Sequence, residues 1–175
     1  MSNFIINPST FAKTETIIYS QTASGNNMIT FHGTILVGGL CIKSGDSLIG
    51  ESVTKVTFKL YKSGTPTATT LYARVFNTAS ALTVKHTFGS LAVSELTDTG
   101  VDFDFESASS YTLVANDVVG IYCDNSGSSH GDHVNQAGTS GSTSTLKYGD
   151  YDSNNTPSWS STGNQRPYLI MIEIS

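Results

Sequence analysis

Apolar side chains alternate with polar ones along residues 53–62, VTKVTFKLYK, and again along residues 71–76, LYARVF. This two-residue period is typical of a strand that buries one face, and it places Val56, Phe58 and Leu60 on the core side. The segment between the two runs contains a glycine and a proline, which punctuate turns. The pattern predicts that the two runs pair as a β-hairpin.

Similar apolar runs predict the remaining strands. They occupy residues 16–20, 28–31, 35–42, 82–88, 101–105, 111–114, 118–123, 146–148 and 168–174. The run 118–123 is apolar at successive positions, as expected for a central strand that is buried on both faces. Only residues 92–96 favour a turn of helix. The chain is therefore predicted to be an all-β, antiparallel sandwich with little or no helix.

Three segments lack this regularity. Residues 1–25 are mixed in character and are interpreted as an N-terminal arm with one short strand, so that residues 26–175 form the sandwich domain. Residues 124–145 and 150–163 are rich in Ser, Gly and Asn and show no clear periodicity. They are predicted to be surface loops, which is where binding functions concentrate.

Composition and charge exclude some partners. Charged residues are 13% of the chain and the net charge is -5. The lysines and arginines form no cluster, so we expect no nucleic-acid binding. No apolar run approaches the roughly 18 to 20 residues that cross a bilayer, so no membrane insertion is expected. The opening residues MSNFIINP are broken by Asn and Pro, so no signal peptide is predicted.

Two cysteines, Cys41 and Cys123, both lie in apolar strand-like runs. Cysteine packs well as a small hydrophobic residue, so separate buried thiols are favoured. A disulfide between them stays an alternative, because the long loop that it would close stabilises a fold.

Several segments together resemble a known kind of module. These are residues 48–67, 72–77 and 111–122, with Ser158-Trp-Ser160 before a terminal strand. The resemblance is to jelly-roll modules of the choice-of-anchor type and related surface domains, and it covers residues 28–175. It implies a jelly-roll-like sandwich, similar to carbohydrate-binding β-sandwiches. Such modules occur in extracellular, archaeal-surface and viral structural proteins, where they adhere or assemble, and the resemblance carries no catalytic motif.

The residues themselves predict no enzyme. The serines stand without a G-x-S-x-G elbow and neither cysteine has an evident histidine partner. Asp102 and Asp104 lie on one face of a predicted strand, where solvating that face is the expected role. We therefore expect a non-enzymatic structural or adhesion protein of a virion or cell surface. It is expected to form homo-oligomers through the arm and the sheet edges.

A monomeric carbohydrate-binding module is the alternative. Its candidate ligand-binding residues are Tyr148, Tyr151 and Trp159, with Asp150 and Asn154 beside them. Sugar rings stack on exposed aromatic faces while carboxylates and amides bind the hydroxyls, so these residues suit a surface glycan. Packing in the core is the other role open to Trp159.

A second polar group offers metal-ligand chemistry. His130, Asp132 and His133, with Asp124 and Asp152, are the candidate metal ligands. Imidazole and carboxylate hold transition metals, although this spacing fits no specific zinc motif. Solvated loop residues are the alternative interpretation.

The segment DYDSNN at residues 150–155 places oxygens at alternate positions, as calcium loops do. It departs from the EF-hand pattern because Asn155 replaces the turn glycine and Ser161 stands where the twelfth-position Glu belongs. A structural calcium at the rim of the sandwich is therefore the one cofactor left open, and no other is predicted.

Overall fold

The computed structural model describes residues 13–21, 25–33, 35–77, 83–125, 127, 131–140, 146–151, 157–160 and 165–174. Its strands are β1 Glu15–Gln21, β2 Gly25–Phe31, β3 Ile35–Cys41, β4 Ser52–Ser63, β5 Thr70–Asn77, β6 Val84–Ala92, β7 Val101–Thr112, β8 Asp117–Cys123, β9 His133–Ser140, β10 Leu146–Tyr151, β11 Pro157–Ser160, β12 Gln165–Pro167 and β13 Leu169–Ile174. Within these ranges the only helix is a single 3-10 turn, Val93–Glu95. The prediction of an all-β chain with little helix is confirmed.

The strands form two antiparallel sheets that pack face to face. The six-stranded sheet has the order β11-β10-β3-β8-β5-β6. The seven-stranded sheet has the order β1-β13-β4-β9-β12, with β2 on β9 and β7 on β4. The predicted antiparallel β-sandwich is therefore confirmed.

The core fills the space between the inner faces of the two sheets. Val56, Phe58 and Leu60 of β4 are fully buried, as their alternation predicts. Across the core, Leu71 of β5 and Ile121 of β8 are buried as completely. β4, β5 and β8 thus each contribute every second side chain to this core, which is how a sandwich buries two apolar faces at once.

The predicted hairpin of β4 with β5 is wrong. β4 pairs with β7, β9 and β13 in one sheet, while β5 pairs with β6 and β8 in the other. The connection between them crosses the sandwich, and hydrogen bonds to Asn125 hold it in place. Its Oδ1 accepts hydrogen bonds from the backbone of Thr67 at 3.0 Å and Ala68 at 3.1 Å, and its Nδ2 donates to the Phe31 carbonyl at 2.9 Å. Alternation sets which face a strand buries, but it does not select the partner strand.

The interpretation of residues 124–145 and 150–163 as loops is also wrong in part. β9 lies inside the first segment and pairs with β2, β4 and β12, and β11 lies inside the second. β9 buries the polar residues Asn135 and Gln136, at 1% and 0% exposure. Because two of its buried residues are amides and most of the others are small, β9 shows no alternation of apolar and polar residues in the sequence.

The predicted arm contains an edge strand of the sandwich. β1 pairs with β13 from Glu15 opposite Ile174 to Gln21 opposite Leu169. Residues 1–12 and 22–24 of the arm lie outside the described residues.

Gln136→Met is expected to raise the free energy of unfolding by about 1 kcal/mol, because neither amide atom of this fully buried side chain has a hydrogen-bond partner among the described residues. Methionine keeps a similar volume without an unsatisfied polar group. Urea unfolding of the two proteins measures the difference.

The neighbouring Asn135 provides the matched control. Its Oδ1 accepts a hydrogen bond from the Thr30 hydroxyl at 3.0 Å, although its Nδ2 has no partner among the described residues, so Asn135→Leu is expected to stabilise less than Gln136→Met. Equal destabilisation by both substitutions would contradict the prediction for Gln136.

Candidate functional site

The outer face of the seven-stranded sheet carries charges that pair with one another. Lys55 Nζ of β4 lies 2.6 Å from Glu15 of β1 and 3.9 Å from Asp104 of β7. The hydrogen bond that Lys55 donates to Glu15 raises the pKa of Lys55, against the opposing effect of burial. Lys59 lies 3.6 Å from Asp102, so Asp102 and Asp104 solvate this face as expected. These lysines and carboxylates neutralise each other, so they offer little net charge with which to bind a charged ligand.

Tyr168 extends this set of paired groups. Its hydroxyl donates to Asp102 at 2.6 Å, and Lys59 Nζ lies 4.8 Å from the centre of its ring. Burial, followed by the hydrogen bond and the charge of Asp102, raises the pKa of Tyr168 to about 12. The hydroxyl therefore stays protonated and acts as a hydrogen-bond donor at neutral pH.

The outer face of the six-stranded sheet is different, because it is apolar. Successive residues of a strand point to opposite faces, so the residues that alternate with the core of this sheet lie outside. They form a second buried cluster, separate from the main core, that contains Val37 and Cys41 of β3, Phe76 of β5 and Val118 of β8. The cluster is at most 2% exposed at these four positions.

Two tyrosines and an arginine lie beside this second cluster. The rings of Tyr72 on β5 and Tyr122 on β8 have their centres 6.4 Å apart. The guanidinium carbon of Arg74 lies 4.0 Å from the centre of the Tyr72 ring and 5.6 Å from that of Tyr122. All three residues are half-buried, and Arg74 Nε is covered without a hydrogen-bond partner among the described residues. The guanidinium therefore occupies the ring face of Tyr72.

A pair of glycines lies next to Arg74 in the same sheet. Arg74 is opposite Gly120, and Gly120 is opposite Gly39. Both glycines are buried, as are Val37 and Val118 beside them, so little of this part of the sheet reaches solvent. The tyrosines, Arg74 and the two glycines are called the aromatic face below.

Strand pairing places four of the five predicted glycan-binding residues in the same sheet. Tyr148, Asp150 and Tyr151 belong to β10, and Trp159 belongs to β11. One row of paired backbone positions runs from Trp159 through Gly149, Val37, Tyr122 and Tyr72. Asn154 lies outside the described residues. A glycan site formed by these five residues therefore stays a prediction.

The predicted metal ligands are only partly within the described structure, since His130 and Asp152 lie outside it. Asp132 Oδ1 accepts a hydrogen bond from the Thr65 backbone at 2.7 Å, which ties it to the connection after β4. His133 begins β9 opposite Ser63, and Asp124 follows β8. No three His, Cys, Asp or Glu side chains are grouped for a metal in the parts of the chain that the structure describes.

Both cysteines are buried and no disulfide joins them, as the favoured prediction has it. Cys41 belongs to the second cluster and Cys123 to the main core, so they lie on opposite faces of the six-stranded sheet. Burial, with a smaller contribution from the charge of Asp124, raises the pKa of Cys123 to about 12. The thiol is therefore protonated at neutral pH and is a poor nucleophile.

A cleft of about 440 Å³ lies beside the crossing connection. Lys62 is the charged group in its lining, together with Gly64, Thr65, Pro66, Ala68, Thr69, Val93 and Ser94. This lining lacks the paired acid and base that proton transfer requires.

Analysis of the sequence did not single out Tyr72 and Arg74. A usable signal was present, because the alternation LYARVF puts Tyr72, Arg74 and Phe76 on one face opposite Leu71, Ala73 and Val75. An aromatic, an arginine and an aromatic on the outer face of a strand are unusual enough to mark that face.

In the described part of the chain, no helix has the length and apolar character to span a membrane. No protein-family model, curated protein or solved structure matches this chain, so its resemblance to the choice-of-anchor type of module stays a prediction from the sequence.

Proposed function

We propose that the protein is a non-enzymatic structural or adhesion component of a virion or cell surface, and that it assembles with copies of itself through β1. The observation that supports this most directly is the position of β1 at the edge of the seven-stranded sheet. β1 pairs with β13 on one side, and among the described strands none pairs with its other side. An open edge presents backbone donors and acceptors to which another strand can bind.

An apolar side chain in β1 favours the same conclusion. Ile17 is 62% exposed, more than any other large hydrophobic residue within the described ranges. An isolated exposed isoleucine is ordinary on a surface, but at an open sheet edge it adds apolar contact to backbone pairing. A second chain that pairs along β1 would remove this side chain from water.

The charges of β1 do not protect its edge. Natural edge strands often carry lysines or acidic residues that discourage pairing. Just before β1, Lys13 Nζ lies 3.1 Å from the Glu106 carboxylate. Within β1, the Glu15 carboxylate lies 2.6 Å from Lys55 Nζ. Both side chains thus reach across the outer face of the sheet instead of projecting past its edge.

The assembly is expected to appear as a species larger than the 18.6 kDa monomer when concentration is raised. Sedimentation velocity over a concentration series measures it. Ile17→Lys should weaken the association at least about tenfold, because a lysine ammonium is costly to bury where an isoleucine was.

Val84→Lys is the matched control, since Val84 is 43% exposed on β6 at the edge of the other sheet. It should leave the association unchanged. A wild-type protein that stays monomeric at the highest concentration tested would overturn the proposal. Loss of association with Val84→Lys alone would show that the copies associate through β6, at the edge of the other sheet, and would contradict the proposal for β1.

A further inference from the structure

We infer that the cleft beside the crossing connection binds a small hydroxylated carboxylate, such as a sugar acid, with Lys62 pairing with its carboxylate and the hydroxyls of the rim binding its hydroxyls. This goes beyond the proposed assembly, because no residue of the described lining belongs to β1. The cleft also uses none of the residues of the glycan site predicted from the sequence, whose described members lie on β10 and β11.

The cleft has the size and the mixed lining of a small-molecule site. Its volume of about 440 Å³ lies within the range of about 300–1,000 Å³ that ligand pockets occupy. Ala68 and Val93, at 9% and 4% exposure, supply apolar surface for the C–H groups of a ligand. Thr65, Thr69 and Ser94 are exposed, and their hydroxyls form no hydrogen bond within the described ranges, so they are available to the hydroxyls of a ligand.

Hydrogen bonds already hold the walls of the cleft in place. Asp132 Oδ1 accepts a hydrogen bond from the Thr65 backbone at 2.7 Å, and the Val93 backbone donates one to the Thr69 carbonyl at 3.0 Å. The hydrogen bonds of Asn125 hold the rest of the crossing connection. A site whose backbone is fixed before the ligand arrives loses little conformational entropy on binding.

Gly64 fixes the turn between Lys62 and Thr65. Its φ of 64° lies in the left-handed region, which glycine adopts without the steric cost of a Cβ. An added Cβ would collide with Asp132 Oδ1 and with the Gly131 carbonyl oxygen, so the turn packs directly on the segment before β9. This close approach gives the lysine and the threonine defined positions in the lining.

Lys62 determines the charge of the ligand. It is half-buried and forms no ion pair with any carboxylate in the described part of the chain. Four other lysines each lie within 4 Å of a carboxylate, namely Lys13, Lys55, Lys59 and Lys85. Since Lys62 is the one cation among the described lining residues, the cleft suits a ligand with a single negative charge, which a carboxylate provides. The net charge of -5 repels anions at long range, so binding is expected to depend on local contacts and not on steering.

The test is a titration followed by saturation-transfer NMR and calorimetry, with sodium glucuronate and sodium gluconate as probes. Glucose lacks the carboxylate and sodium acetate lacks the hydroxyls, so these two compounds are the controls. We expect at least one sugar acid to bind, with saturation transferred to its C–H protons. Both controls should bind at least about tenfold more weakly, because each loses one of the two kinds of contact.

Lys62→Gln is expected to weaken binding of the sugar acid at least about tenfold, because it removes the charge that pairs with the carboxylate. Lys43→Gln is the matched control and should leave binding unchanged. Lys43 is also half-buried and without an ion pair within the described ranges, but it lies outside the lining of the cleft. Thr69→Val removes one hydroxyl of the rim and should weaken binding about threefold, whereas Thr87→Val, on β6, should not change it.

Circular dichroism establishes that each variant is folded, and Thr69→Val serves alone if Lys62→Gln is not. Absence of binding by both sugar acids, or equal binding of glucose, would overturn the inference. Full retention of binding by Lys62→Gln, or an equal loss with Lys43→Gln, would overturn it as well.

Discussion

Gly120→Ala is expected to lower the free energy of unfolding by about 3 kcal/mol or more, or to prevent folding, because the added methyl group has no space. A Cβ at this position would lie 2.3 Å from the Gly38 carbonyl oxygen and 2.8 Å from the Gly39 Cα. These atoms belong to the backbone of β3, at the centre of the six-stranded sheet, so they move only if the β3–β8 pairing changes. Guanidinium unfolding, monitored by circular dichroism, measures the loss.

Gly89→Ala is the matched control in the same sheet. There the added Cβ would lie 3.4 Å from Cδ1 of Phe105, which is an ordinary contact with a side chain. We expect a change within about 0.5 kcal/mol. Comparable stability of the Gly120 and Gly89 variants would contradict the close approach of β3 and β8.

Asp117→Ala is expected to cost about 3 kcal/mol, because it breaks a buried set of polar contacts. Asp117 is fully buried, and its Oδ1 lies 2.5 Å from Lys85 Nζ. Its Oδ2 accepts a hydrogen bond from the Val114 backbone at 2.8 Å, and Tyr111 donates a further one. Alanine leaves these three donors without their fully buried acceptor.

Denaturant unfolding with a double-mutant cycle tests this prediction. Lys85→Met in the Asp117→Ala background should add much less than Lys85→Met alone, since both substitutions remove the same contact. Glu106→Ala is the control: it breaks the pair with Lys13, whose side chains are 71% and 46% exposed, and should cost under about 0.5 kcal/mol. Equal costs for Asp117→Ala and Glu106→Ala would contradict the prediction.

Burial also determines the protonation of Tyr111, which lies beside Asp117. Burial, and then the charge of Asp117 and the hydrogen bond to it, raises the pKa of Tyr111 to about 12. The nearby His86 ring stacks 5.4 Å from Tyr111, and burial lowers its pKa. A neutral His86 and a protonated Tyr111 at pH 7 are consistent with a structural role for this region.

Most of the strands, and the face that β4 buries, followed from the sequence alone. Val56, Phe58 and Leu60 were predicted to face the core, and all three do. The absence of long helices and the buried, apolar β8 were predicted as well. These properties are local, because the two-residue period of a strand decides which side of it is apolar whatever lies next to it.

Strand partners were decided only by the tertiary structure. β4 and β5 lie close in sequence yet belong to opposite sheets, since the segment between them is long enough to cross the sandwich and Asn125 holds it there. β9 was taken for a loop because its buried amides, Asn135 and Gln136, break the apolar pattern.

The aromatic face likewise exists only in the folded chain. Tyr72 and Arg74 come from β5 and Tyr122 from β8, and the sequence places Tyr72 and Tyr122 far apart. Antiparallel pairing sets Tyr72 directly opposite Tyr122 and Arg74 opposite Gly120. The sequence determined that these side chains lie on the face opposite the core, whereas the register between β5 and β8 brought them together, because register depends on contacts between distant parts of the chain.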